Sequence, residues 1–167
     1  MTNKLVVRFI AAPDLLSRII MWLTNSLWCH CEILSRDGTG WVGAHAWTGV
    51  QKRPLDWIKP SRERCYAIPL HAKNYKAAHD WLEAQLGLPY DYTGCLGILL
   101  HYRIHSKKGR DCSNVAICAM QQGGLEPLNT LADYNYLITP ETLHLSPVFI
   151  GMLQTPAQPK RAGAKAR

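Results

Sequence analysis

Residues 30–46 read HCEILSRDGTGWVGAHA, and this stretch decides the fold. HCEILS alternates as a half-buried strand does, and Asp37-Gly38 is a residue pair that favours a tight hairpin turn. GWVGAHA then returns as the second strand. On a strand, side chains two apart share a face, so His30 and Glu32 point one way and Cys31 and Ile33 the other. His45 comes back on the neighbouring strand.

Working outward, KLVVRFI (residues 4–10) reads as a buried strand. Pro13 and Asp14 open an amphipathic helix to about Asn25, with Leu15, Leu16, Ile19, Ile20 and Leu23 on one face. GVQKRPLDWI continues as a short strand and turn, and RCYAIPL is another strand. NYKAAHDWLEAQLG is a helix with Tyr75, Ala78, Trp81, Leu82 and Leu86 toward the core and Gly87 at its end. TGCLGILLHYR is expected to be a second buried helix. After the basic loop IHSKKGRD comes CSNVAICAMQQGG, a helix with Cys112 in its first turn. Thr139 caps a further helix with Pro140 at its first position, and SPVFIGML is expected to supply a last strand. The expected class is α+β, a mostly antiparallel sheet packed by helices.

The 47% apolar content and 167 residues suit one domain, expected over residues 1–152. Residues 153–167 form a Pro/Ala/Lys/Arg tail with little to bury, expected to be disordered or ordered by an anionic surface or a partner protein. Lys160, Arg161, Lys165 and Arg167 carry more than half of the net charge of +7. The domain itself is too weakly basic for a nucleic-acid groove. The opening residues do not read as a secretory signal, and no apolar run is long enough to span a membrane. Six irregularly spaced cysteines fit reduced thiols. A cytoplasmic site of synthesis is therefore expected.

Cys112 is the most informative cysteine. At a helix start, free N–H groups and the helix dipole favour a thiolate and can donate to an oxyanion. His30 is the candidate base, and His45 on the adjacent strand the candidate to hold it. As an acceptor, His45 would have to be neutral, which places an acid limb of activity in the histidine range. A metal held by Cys29, His30 and Cys31 fails on strand alternation, so no metal and no cofactor are expected. Cys29 and Cys31 are expected to pack on the strand faces.

CHCEIL, GAHAWTGVQKRPL, LGLPYDYTGCLGILL and DCSNVAICAM, in that order, resemble the motifs of the circularly permuted papain-like amidases. That superfamily takes in the permuted NlpC-like enzymes, the YiiX- and YaeF-like proteins and, more distantly, the lecithin:retinol acyltransferase-like enzymes. The resemblance implies Cys112 as nucleophile, His30 as general base and His45 as the polar third member. Tyr90, Ser113 and Glu32 become candidate site-lining or oxyanion residues. It further implies a thiol amidase acting on bacterial cell-wall peptide or a related amide. The setting would be bacterial or bacteriophage, with virion association or delivery by another system. A lipid acyltransferase or thioesterase on the same fold is the alternative that a long apolar groove would favour. A non-catalytic binding or virion-structural module is the rival of another class. Asn114, where the family usually has Glu, and Asp111 beside the thiol are departures from the pattern.

Overall fold

Short runs of apolar residues, each ended by a turn signal, build an antiparallel sheet. In the computed structural model, which describes residues 3–100, 104–106, 108–129 and 132–154, its strands are β1 (Asn3–Ala11), β2 (His30–Leu34), β3 (Gly40–His45), β4 (Gly49–Pro54) and β5 (Arg62–Leu70). The order across the sheet is β4-β3-β2-β1-β5. Gly38 takes a left-handed φ of 70° in the β2–β3 turn, the conformation that the Asp-Gly pair supplies. Gly49 starts β4 with φ 75°, and a Cβ there would lie 2.1 Å from the Leu88 carbonyl oxygen. Only glycine fits that approach.

The described helices are α1 (Leu15–Leu23), α2 (Ala72–Ala84), α3 (Tyr92–Leu100), α4 (Cys112–Gln122), α5 (Pro140–His144) and α6 (Pro147–Gln154), with a 3-10 turn at Ala132–Leu137. The class is thus α+β, with five antiparallel strands and six α-helices among the described residues. Helices α2 and α4 cover the sheet where β1 and β2 run side by side. Leu5, Val7 and Phe9 of β1 meet Val115, Ala116 and Ala119 of α4 and Ala78 and Leu82 of α2 in one core. Asp111 caps α4 by accepting from Asn114 N–H at 2.8 Å, and Thr139 caps α5, with Pro140 in its first turn.

Four expectations change. SPVFIGML is helix α6 rather than a strand: Pro147 sits in its first turn, and Phe149 and Ile150 N–H bond back to the Ser146 carbonyl. Phe149 is buried edge-on against Phe9. Leu86 is exposed, because α2 stops at Ala84 and leaves it in the following turn. Helix α3 is only half-buried, with Leu96 and Leu100 facing outward. The apolar face of α1 is not buried at all. Since α6 runs to Gln154, order extends just past the expected boundary at 152, and the rest of the tail lies outside the described residues. Among the described residues, no helix is long and apolar enough to cross a membrane.

Candidate active site

Helix α4 places Cys112 at its first position, packed on the face of β2 and only 6% exposed. The side chains of His30 and Cys31 lie beside its sulfur and interact with it electrostatically. The S–H of Cys31 and the charge of His30, with help from the Cys31 backbone N–H, outweigh burial and hold the Cys112 thiol well below its ordinary range. Cys31 is pushed the other way, first by burial and then by the neighbouring sulfur, and stays a thiol donor. Cys31 is fully buried in the core, as expected of strand-face packing, and also lies beside the Cys112 sulfur.

His30 opens β2, and its Nε2 lies 3.1 Å from Glu32 Oε1. Burial disfavours its charged form, but the Cys112 thiolate and Glu32 prevail and raise its pKa to about 10. Glu32 is buried, yet His30 and Arg8 lower it to about 2. Both shifts favour a thiolate on Cys112 and an imidazolium on His30, whose ring is hydrogen-bonded to Glu32.

Arg8 is the cross-strand partner of Glu32 in the β1–β2 register. Its Nε and Nη2 donate to Glu32 Oε2 at 3.1 and 2.5 Å, and its guanidinium lies 4.2 Å over the ring of Trp41. Trp57 Nε1 reaches the same oxygen at 3.4 Å. A lone arginine in the buried strand KLVVRFI needs an anionic partner. That signal is present in the sequence.

His45 stands beside His30, ring centroids 4.9 Å apart, but does not hold it. Strands β2 and β3 pair at Ile33–Val42 and Leu34–Trp41 and not opposite His30. His45 Nε2 is 3.7 Å from Glu32 Oε1 and has no hydrogen-bond partner. Burial first, then the charge of His30, lowers its pKa to about 3, so it is neutral across the working range. The hydrogen bond to His30 comes from Glu32 and not, as expected, from His45. Gly43 makes room for this arrangement: a Cβ there would lie 3.3 Å from His30 Nε2 and 3.2 Å from Glu32 Cγ.

His30, Glu32 and His45 also form the described cluster able to offer three metal-ligand atoms within 4.8 Å. A cation there would compete with the His30 proton and with Arg8, both already on Glu32. The geometry fits an ion-paired thiol better than a metal centre.

No family model matches the chain. No curated protein matches it in sequence either.

The remaining candidates line or brace the site. Tyr90 lines the cavity that holds Cys112, and its hydroxyl accepts from Cys95 Sγ at 3.3 Å. The Ser113 hydroxyl sits between Asp111 Oδ1 and the Ile138 carbonyl, so it is structural. Asp111 is buried as the helix cap. Burial and the adjacent sulfur raise it to about 7. The cap uses the Asn114 N–H and leaves those of Cys112 and Ser113 without intrahelical acceptors, as at any helix start. Those N–H groups can receive an oxyanion formed at the sulfur. Asp91, from the Tyr-Asp motif, is buried and binds Thr93, Gly94 and Ser106, which fixes the start of α3.

The cavity in front of Cys112 measures about 350 Å³. Leu16, Ile20 and Leu23 of α1 form one wall, and Tyr90, Cys95 and Ile98 the other. A larger cavity, about 620 Å³, borders Asp111 from another side and includes Arg110, Asn114 and Gln121, but not Cys112. The chemistry therefore belongs to the smaller, apolar one.

Proposed function

We propose that the protein is a cysteine hydrolase of the circularly permuted papain-like type, working through an acyl-enzyme on Cys112. The observation that carries this reading is Cys112 at the start of α4 with His30 beside its sulfur, His30 hydrogen-bonded to Glu32 and Glu32 to Arg8. A buried thiolate, imidazolium and carboxylate are expensive to bury, and a passive binding or virion-structural module gains nothing from keeping them charged.

The thiolate adds to the substrate carbonyl carbon, and the N–H groups at the start of α4 receive the oxyanion. As the tetrahedral adduct collapses, the C–N or C–O bond breaks and His30 gives its proton to the departing atom. Now neutral, His30 takes a proton from water, which attacks the thioester. The C–S bond breaks, the acid leaves, and thiolate and imidazolium are restored. Glu32 keeps the imidazole oriented throughout, and Tyr90 walls the cavity. No step calls on a metal or cofactor.

An amide substrate such as cell-wall peptide, in a bacterial or bacteriophage setting, follows from the motif resemblance. One observation favours the second reading, a thioesterase or acyltransferase: the walls of the Cys112 cavity are almost wholly apolar. A polar peptide would leave its amides unpaired there. Intact-mass spectrometry after mixing with a water-soluble butanoyl aryl ester tests the core claim. A butanoyl adduct on Cys112, absent in Cys112→Ala, is expected. Turnover that persists in Cys112→Ala would overturn it.

A further inference from the structure

We propose that the larger cavity beside Asp111 is a second binding site, which takes a free aromatic α-amino acid in its zwitterionic form. The site does not depend on the chemistry at Cys112.

The cavity measures about 620 Å³, within the ~300–1,000 Å³ range of small-molecule sites. Arg110 supplies its cation. The Arg110 Nε donates to Gln85 Oε1 at 3.3 Å and Nη1 to the Gly109 carbonyl at 3.1 Å. Both acceptors are neutral, so they fix the guanidinium without cancelling its charge. Its Nη2 bonds to none of the described residues. A guanidinium held in this way is prepared for a carboxylate.

Asp111 and Asn114 stand in the same wall. Asp111 is only 3% exposed, and its Oδ1 takes the cap bond from Asn114 N–H. Asp111 Oδ2 and Asn114 Oδ1 are closed to solvent and have no hydrogen-bond partner. Two orphaned acceptors on one helical turn call for a donor. The other carboxylate of the cavity, Asp91, is already engaged by Thr93, Gly94 and Ser106.

A simple anion would satisfy Arg110 and leave the acceptors bare, and a simple amine would do the reverse. A phosphate dianion would bring two charges to one guanidinium beside two carboxyl groups. A carboxylate and an ammonium on one carbon answer both needs, and Arg110 and Asp111 are consecutive in the chain. The remaining wall suits an aromatic side chain. His105 and Tyr136 stack 3.8 Å apart at 16°, and Trp81 of α2 borders the same space.

Titration calorimetry on the full chain tests the site with L-phenylalanine. Binding is expected, and both L-phenylalanine amide, which lacks the carboxylate, and N-acetyl-L-phenylalanine, which lacks the ammonium, should bind about tenfold or more weaker. Arg110→Gln and Asp111→Asn should each weaken L-phenylalanine by a similar factor. Arg110→Lys, which keeps the charge but not the fork, should fall between Arg110→Gln and the native chain. Binding should survive alkylation of Cys112 by iodoacetamide. Absence of L-phenylalanine binding would overturn the proposal, as would equal binding of either derivative, a comparison that needs no variant to fold. Binding lost on alkylation of Cys112 would place the ligand in the other cavity and overturn it too.

Discussion

His30 Nε2 lies 3.1 Å from Glu32 Oε1, two residues along the same strand. One turn of the pleat therefore carries both the group that serves the Cys112 sulfur and the group that orients it. Glu32→Gln should lower kcat/KM by roughly 10²-fold. Because the carboxylate helps keep His30 protonated up to about pH 10, its loss should also move the alkaline limb of the pH profile downward. His45→Asn should retain most activity. If His45→Asn is inactive while Glu32→Gln turns over normally, the orienting residue is His45.

The pH–rate profile should have no acid limb near the usual histidine pKa. His45 is lowered to about 3 by burial, so it stays neutral far below that value. Its folded-state pKa lies below the unfolded one. It therefore favours the fold above about pH 6.5 and withdraws that support as pH falls toward 3. An activity limb near pH 6.5 in the native chain that vanishes in His45→Asn would contradict this assignment.

Ionisation, rather than exposure, should decide which thiol reacts first. Cys65 is exposed, but burial of part of its surroundings and Glu63 raise its pKa to about 11, whereas Cys112 is lowered. Brief, substoichiometric iodoacetamide at pH 6.5 should label Cys112 ahead of Cys65. In Cys31→Ala, which removes the S–H donor, the midpoint of Cys112 alkylation against pH should shift upward. Peptide mapping reads both, and preferential labelling of Cys65 would show that the Cys112 thiolate is not formed.

Arg8→Met should destabilise the protein by about 1–3 kcal/mol in urea unfolding, because buried Glu32 keeps only His30 as a cationic partner. Glu32, lowered to about 2, supports the fold above about pH 4.5 and loses that support as pH falls toward 2. The Arg8→Met variant should keep only the part of this acid sensitivity that His30 supplies. A loss of less than about 1 kcal/mol would place the pair among weak ion pairs.

Asp111→Asn should keep the helix cap, since Asn caps as well as Asp. It also removes a buried carboxyl whose pKa is raised to about 7. Such a group supports the fold below about pH 3.8 and loses that support as pH rises through 7. Thermal melts should therefore show Asp111→Asn gaining relative to the native chain between about pH 4 and 7. An unchanged difference across that range would mean that Asp111 is ionised throughout.

What was legible in the sequence was local. The Asp37-Gly38 turn, the helix start at Cys112, the Thr139-Pro140 helix start and the shared face of His30 and Glu32 follow from φ preferences, unpaired N–H groups and strand alternation, each within a few residues. Tertiary structure decided what depends on register and docking. Arg8 meets Glu32 because β1 and β2 align them, and a slip of one residue would turn Arg8 to the other face. His45 misses His30 because β3 does not pair with β2 at that level. Cys31 reaches the nucleophile because α4 lies on its face of the sheet, and SPVFIGML coils because Phe149 seats against Phe9 in a helix begun by Pro147. The apolar pattern of α1 was plain in the sequence, but periodicity shows only that a face is apolar. That this face stays open beside Cys112 is set by where the other elements pack.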